Sequence, residues 1–114
     1  MSAVYKAKKI CRTFDERRNG MMNDTLAPDE VCVFVYESPH SPRFWCKDTP
    51  QDLYVSIVSD GIVLDCVGMK AYDETPVTLD GSGSIAIESI SELPIGANVS
   101  IEDDKVMVSY AALD

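Results

Sequence analysis

The chain has 114 residues, of which 46% are apolar and 25% charged, and a formal net charge of -9. That balance is globular and not disordered, and the length supplies one core, so residues 1–114 are read as a single domain. The acidity argues against nucleic-acid binding, which depends on Lys and Arg displacing counterions, and no run approaches the roughly 18 apolar residues of a membrane helix.

The charge is unevenly spread. Residues 1–18 hold Lys6, Lys8, Lys9, Arg12, Arg17 and Arg18 against Asp15 and Glu16, a basic patch on an acidic body. Such a patch is either a solvated face paired with the molecule's own acids or a docking surface for an acidic partner.

Ser2 to Cys11 alternates imperfectly and predicts an edge strand whose lysines discourage unwanted pairing. Thr13-Phe14-Asp15-Glu16 has the capping-box form, and Gly20 stands about two turns later, so residues 14–19 are predicted as one short helix. Past a polar turn, Val31-Cys32-Val33-Phe34-Val35-Tyr36 is continuously apolar, β-branched and aromatic, the pattern of a central strand buried on both faces. Glu37 to Pro42 is predicted as a loop, because Pro39 and Pro42 cannot donate to a ladder. Phe44-Trp45-Cys46 resumes extended chain.

Leu53–Val58 and Ile62–Val67 flank Ser59-Asp60-Gly61, a hairpin signal, with Leu53, Val55 and Ile57 on one face. Residues 68–82 form the longest irregular stretch and are held as a candidate binding loop. Ser84 to Ile90 predicts a strand, Glu92 to Gly96 a turn, and Val99–Ile101 with Val106–Tyr110 a closing hairpin. Seven or so short strands and one short helix near the N-terminus predict a mainly β fold, a small antiparallel β-sandwich or partly closed barrel. A parallel α/β sheet is not expected, since no helices alternate with the strands.

Cys11, Cys32, Cys46 and Cys66 form no C-x-x-C pair, and three of them lie in apolar runs. Buried free thiols in a reducing compartment are the leading reading, with one or two disulfides as the alternative. No apolar stretch followed by a small-residue cleavage site opens the chain, so a cytoplasmic location is expected.

Little in the sequence points to catalysis. His40 is the only imidazole, and a Cys-His pair built from it and Cys46 would place the imidazole between two prolines, where a solvated ring is the simpler expectation. The close-spaced ligands of a zinc site are missing, and the acidic clusters Glu102-Asp103-Asp104 and Asp73, Glu74, Asp80 lack the spacing and internal glycine of a calcium loop. Gly81-Ser82-Gly83 has no lysine and precedes a strand, unlike a phosphate loop. No catalytic residue, metal or cofactor is therefore expected. Trp45, Lys47, Asp48 and Thr49 are the candidate ligand-binding group: an ammonium and a hydroxyl beside an aromatic wall could orient a small anion. The competing reading pairs Lys47 with Asp48 or Asp52 and has Thr49 cap a turn before Pro50.

Several segments, taken in order, resemble the uncharacterised family known as domain of unknown function 192. Arg17-Arg18-Asn19-Gly20-Met21-Met22 is similar to its Arg…Gly-Leu-Met helix end, and Cys32-Val33-Phe34-Val35-Tyr36 to its Met-Leu-Phe-Val-Phe strand. Phe44-Trp45-Cys46-Lys47-Asp48-Thr49 and Asp52-Leu53-Tyr54-Val55 resemble its Phe-Trp-Met-Lys-Asn-Thr and Pro-Leu-Asp-Ile blocks, and Asp60-Gly61 falls at the matching hairpin. The chain departs from the pattern at Cys46, at Asp48, at the intervening Gln51 and in lacking a Cys-containing segment of the long loop. The resemblance spans residues 10–101 and implies a mainly β fold with a short helix, but no activity, ligand or catalytic residue.

The expected function is that of a non-enzymatic interaction or structural domain, an accessory or decorating subunit of a larger assembly such as a virion, or a homo-oligomer. The basic patch and apolar residues toward both ends (Val4, Tyr5, Tyr110, Leu113) motivate it. The alternative is a protein that binds a small anion, or an unrecognised enzyme, with its pocket around Trp45, Lys47 and Thr49.

Overall fold

The computed structural model describes residues 1–111. Its elements in chain order are β1 (Ser2–Cys11), α1 (Phe14–Asn19), β2 (Glu30–His40), β3 (Arg43–Phe44), β4 (Leu53–Ser59), β5 (Ile62–Met69), β6 (Val77–Thr78), β7 (Gly83–Ser89), β8 (Asn98–Glu102) and β9 (Lys105–Ser109). Seven strands close into a barrel in the order β1-β2-β7-β4-β5-β8-β9, while β3 and β6 pair as a separate two-stranded sheet. The mainly β fold with an N-terminal helix is the one the sequence predicts, and the barrel is fully closed.

Closure depends on β1, which changes partner along its length. Ser2 to Lys6 pair antiparallel with β9, and Lys6 to Cys11 run parallel with β2. The expected edge strand is therefore flanked on both sides, and the barrel is not purely antiparallel. Parallel neighbours need a long crossover, and residues 12–29 with α1 provide it. The helix begins where Thr13 Oγ1 accepts from the Glu16 N–H (3.1 Å) while the Glu16 carboxylate accepts from the Thr13 N–H (2.9 Å). Gly20 ends it at φ 43°, a left-handed value that favours glycine.

Strand β2 lies between β1 and β7, and its two faces serve two cores. Val31 and Val33 face the barrel interior with Val58, Val63, Ile87, Val106 and Val108. Cys32 and Phe34 face outward, where they cluster with Leu53, Val55, Ile57 and Met69 of the same sheet and with Phe44 and Cys46 from the segment that follows β2. The outer side of β2, β7 and β4 is thus a second buried layer beneath the turn that follows α1 and the β3–β6 pair. Removing apolar surface from water on both faces is the dominant stabilising term for these strands.

Two glycines are required by geometry. A Cβ on Gly83 would lie 2.1 Å from the Val58 carbonyl oxygen, so only glycine lets the start of β7 approach β4. Asp60 (φ 50°) and Gly61 (φ 74°) make the β4–β5 turn, both left-handed as a two-residue hairpin with the right strand twist demands.

The structure departs from the sequence reading in two further places. Residues 37–40 continue β2 instead of forming a loop: His40 pairs with Gly83, and the register shifts between Val35 and His40. Pro39 sits inside that irregularity, where no ladder donor is needed. Residues 68–82 are not wholly irregular, since Met69 completes β5 and Val77–Thr78 pair with β3. Among the described residues no helix is long and apolar enough to cross a membrane.

Candidate functional site

The register shift in β2 has a spatial result. Past Val35 the strand parts from β7, and a cleft of about 610 Å³ opens between its Tyr36–His40 segment, the end of α1 and the Arg43–Thr49 segment. That volume is in the range of small-molecule sites. Phe34 and Phe44 meet edge to face at a centroid separation of 5.3 Å, and Tyr36 stacks on His40 at 5.0 Å, so the walls are aromatic. Four cations border the space, Arg17, Arg18, Arg43 and Lys47, against the carboxyls of Glu37 and Glu88. On a chain of net charge -9 this is a local excess of positive charge.

The cations differ in how far they are committed. Arg17 donates through Nη1 to the carbonyls of Arg12 (2.6 Å) and Val35 (3.0 Å), and its guanidinium lies 4.9 Å from the Tyr36 ring centroid. It thereby fastens α1 to β2 and forms one wall. Lys47 has its Nζ 5.4 Å from the Trp45 ring centroid and makes no ion pair among the described residues. Trp45 remains 41% exposed, a large apolar surface open to solvent at the cleft mouth.

The Trp45–Thr49 turn is held from three sides. The Cys46 N–H donates to the Asp73 carbonyl (2.9 Å), the Tyr72 N–H to the Thr49 carbonyl (2.9 Å), and the Asn23 N–H to the Asp48 carbonyl (2.7 Å). Asp48 takes the left-handed φ of 54° that this tight turn needs. Residues 70–73 therefore brace the turn from behind, and the candidate binding loop 68–82 contributes nothing to the cleft lining.

Of the four predicted ligand residues, the cleft brings together Trp45, Lys47 and Thr49 but not Asp48. Thr49 is buried and donates its hydroxyl to the Lys47 carbonyl (3.1 Å), so it closes the turn as the competing reading held. The pairing of Lys47 that reading also required is absent, and the Asp52 carboxylate instead takes the Ala71 N–H (2.8 Å) and lies 3.8 Å from Lys70.

The basic patch is divided by the fold. Lys8 and Lys9 lie 2.8 and 3.2 Å from the Asp24 carboxylate, and Lys9 also donates to the Gly20 carbonyl. The lysine ammonium groups hold Asp24 down at about 2. Arg17 and Arg18 border the cleft, whereas Lys6 lies at a separate shallow depression beside Asp29 and Asp104. Arg12 contributes backbone contacts to the helix start, its N–H donating to Glu16 at 2.9 Å. Tyr5 and Tyr110 pack against the barrel interior, Val4 is exposed, and Leu113 lies outside the described residues.

One functional candidate escaped the sequence reading. Glu88 stands on β7 between Cys32 of β2 and Val55 of β4, on the outer face and at the cleft floor. It is 4% exposed, and its Oε1 has no hydrogen-bond partner among the described residues. Burial pushes its carboxyl up to about 8, the nearby Cys11 thiol adds to the rise and Lys9 partly opposes it. The signal was there: in Ser84-Ile85-Ala86-Ile87-Glu88-Ser89 a lone charge interrupts a strand whose neighbours are buried on both faces.

The thiols lie close by. Cys11 Sγ is 3.9 Å from Cys32 Sγ; both are buried, and no disulfide links any of the four cysteines. Sharing a hydrogen bond lowers the Cys11 thiol and, together with burial, raises that of Cys32. Burial also pushes Cys46 up to about 11, which makes it a poor nucleophile. Among the described residues no three His, Cys, Asp or Glu side chains converge to hold a metal.

A family model described as DUF192, an uncharacterised group, matches residues 4–106. A crystal structure of a protein of unknown function from Novosphingobium aromaticivorans is similar at 27% identity and a TM-score of 0.71, over 76% of this chain and 64% of that one. The chain thus spans less than two thirds of that relative's length. A candidate transcription regulator from Sinorhizobium meliloti shares the fold at 17% identity and a TM-score of 0.68, over 77% of each chain. No functionally curated protein matches.

Proposed function

The chain belongs to DUF192, a family without an assigned activity, and from that premise we propose that it binds a small organic anion in the cleft between α1, the second half of β2 and the Trp45–Thr49 turn. The observation that carries this reading is the grouping of Arg18, Arg43 and an unpaired Lys47 with aromatic walls on an otherwise acidic protein. Guanidinium and ammonium groups supply charge-assisted hydrogen bonds to a carboxylate or phosphate, and the aromatic surface buries the organic part. Pinning of the Trp45–Thr49 backbone by three partners supports a pre-formed site, which lowers the ordering cost of binding.

Thermal unfolding in the presence of benzoate, phenyl phosphate or inorganic phosphate tests it. A probe at a hundred times its dissociation constant stabilises a one-site protein by about 2.7 kcal/mol. Saturable stabilisation by an organic anion that Lys47→Ala and Arg43→Ala each weaken is expected. Failure of every anion to raise the midpoint at millimolar concentration would remove the reading.

The assembly-subunit reading has one observation in its favour. Val4 and Met107 are cross-strand partners on the outer face of β1 and β9, 58% and 37% exposed. Two side chains are a small patch beside the roughly 800 Å² per partner of a stable interface, so the cleft is the better supported site. Analytical ultracentrifugation decides this second reading: a monomer at all concentrations that co-purifies with no particle is the outcome against it.

A further inference from the structure

Building on the reading of the cleft as an anion site, we infer that Glu88 selects the ligand, favouring an anion whose far end carries an adjacent hydrogen-bond donor and acceptor, as a carboxamide or a cyclic imide does. Within the described protein Oε1 is unpartnered, no cation forms an ion pair with the carboxyl, and its ladder neighbours are Cys32 and Val55. A buried polar group without a partner costs stability, and an apolar side chain would suit this position in the outer core better. The Glu88 side chain is part of the cleft lining. A molecule occupying that space is therefore placed to supply the partner that the described protein does not.

The chemistry of the partner follows from the state of the carboxyl. Burial keeps the proton on Glu88 at neutral pH. A neutral carboxylic acid presents one O–H donor beside one carbonyl acceptor, whereas a carboxylate only accepts. An ammonium would call for the ionised form in a dry setting, at the expense of desolvating two charges. An amide-like edge matches the neutral acid with two hydrogen bonds and no net charge. The ligand is consequently polarised, with an anionic end among Arg18, Arg43 and Lys47, a flat or apolar middle against the aromatic walls, and a neutral donor–acceptor end at Glu88.

Isothermal titration at pH 7 with matched probes tests this. The pairs are benzoate with 4-carbamoylbenzoate, and phenyl phosphate with 4-carbamoylphenyl phosphate, so that the two arms also distinguish a carboxylate from a phosphate head. In the parent, the carbamoyl member of at least one pair is expected to bind about tenfold tighter, since a site built around a hydrogen-bonding group discriminates strongly against analogues that leave it unpaired. Glu88→Gln keeps a donor and an acceptor side by side and should preserve the preference. Glu88→Leu should bind both members equally. If the anions bind with no carbamoyl preference, or Glu88→Leu retains it, the role of Glu88 is overturned while the anion site stands. If no probe binds, the anion site falls and this inference with it.

Discussion

Replacing Glu88 with glutamine should change how stability depends on pH. An ordinary carboxyl near 4.5 in the unfolded chain rises to about 8 in the native barrel. The native state therefore holds a proton that the unfolded chain has released. The folded form is at no disadvantage below about pH 4.5, loses about 1.4 kcal/mol per unit as pH rises, and bears the whole cost once pH passes the native value. Between pH 5 and 7.5 the loss amounts to about 3 kcal/mol, a large share of the stability of a small domain. Glu88→Gln retains size and hydrogen-bonding capacity but cannot titrate. The variant should match the parent to within about 1 kcal/mol at pH 5 and exceed it by about 3 kcal/mol more at pH 7.5. Urea unfolding followed by fluorescence of Trp45, the only tryptophan, measures both. Taking the difference between parent and variant cancels other titrating groups. A difference that stays flat from pH 5 to 8, or grows toward acid, would refute the buried protonated carboxyl.

Further outcomes follow from the fold. Gly83→Ala forces a methyl group onto the Val58 carbonyl, so the β4–β7 pairing must shift; loss of most of the cooperative transition in circular dichroism is expected, where an ordinary surface Gly→Ala would be near neutral. Thr13→Ala removes the side-chain half of the capping box and should cost about 1 kcal/mol in urea unfolding, with faster amide exchange in α1. The Lys8–Lys9–Asp24 cluster gives stability that is present above pH 3.8 and lost as pH falls through about 2, and Asp24→Asn should flatten that acid limb. Its contribution at neutral pH should be small and should shrink in high salt, because the group is partly solvated.

The capping box at Thr13, the Asp60–Gly61 turn and the doubly buried Val31–Tyr36 strand were all readable from local pattern, since each is decided by residues near in sequence. The parallel β1–β2 pair was not, because periodicity shows which side of a strand is apolar but not which strand lies beside it. Pro39 misled for a related reason: it forbids a ladder bond only where a partner stands opposite, and the irregularity after Val35 removes that partner. Trp45, Lys47 and Thr49, which the fold places along the cleft, stand out in the sequence as an aromatic-polar cluster. Arg18 and Arg43 were not linked to them, as they arrive from different elements. Glu88 was passed over because an acidic residue in a strand is ordinarily solvated, and only the second layer over β7 makes it buried.

The divided allegiance of β1 also bears on biosynthesis. Ser2 to Lys6 leave the ribosome long before their β9 partners Lys105 to Ser109, so that seam cannot form until nearly all of the described chain has emerged. Until then this segment presents unmatched backbone donors and acceptors beside its own apolar residues. The lysines at positions 6, 8 and 9 put like charges along that unpaired strand, the pattern that disfavours pairing between chains.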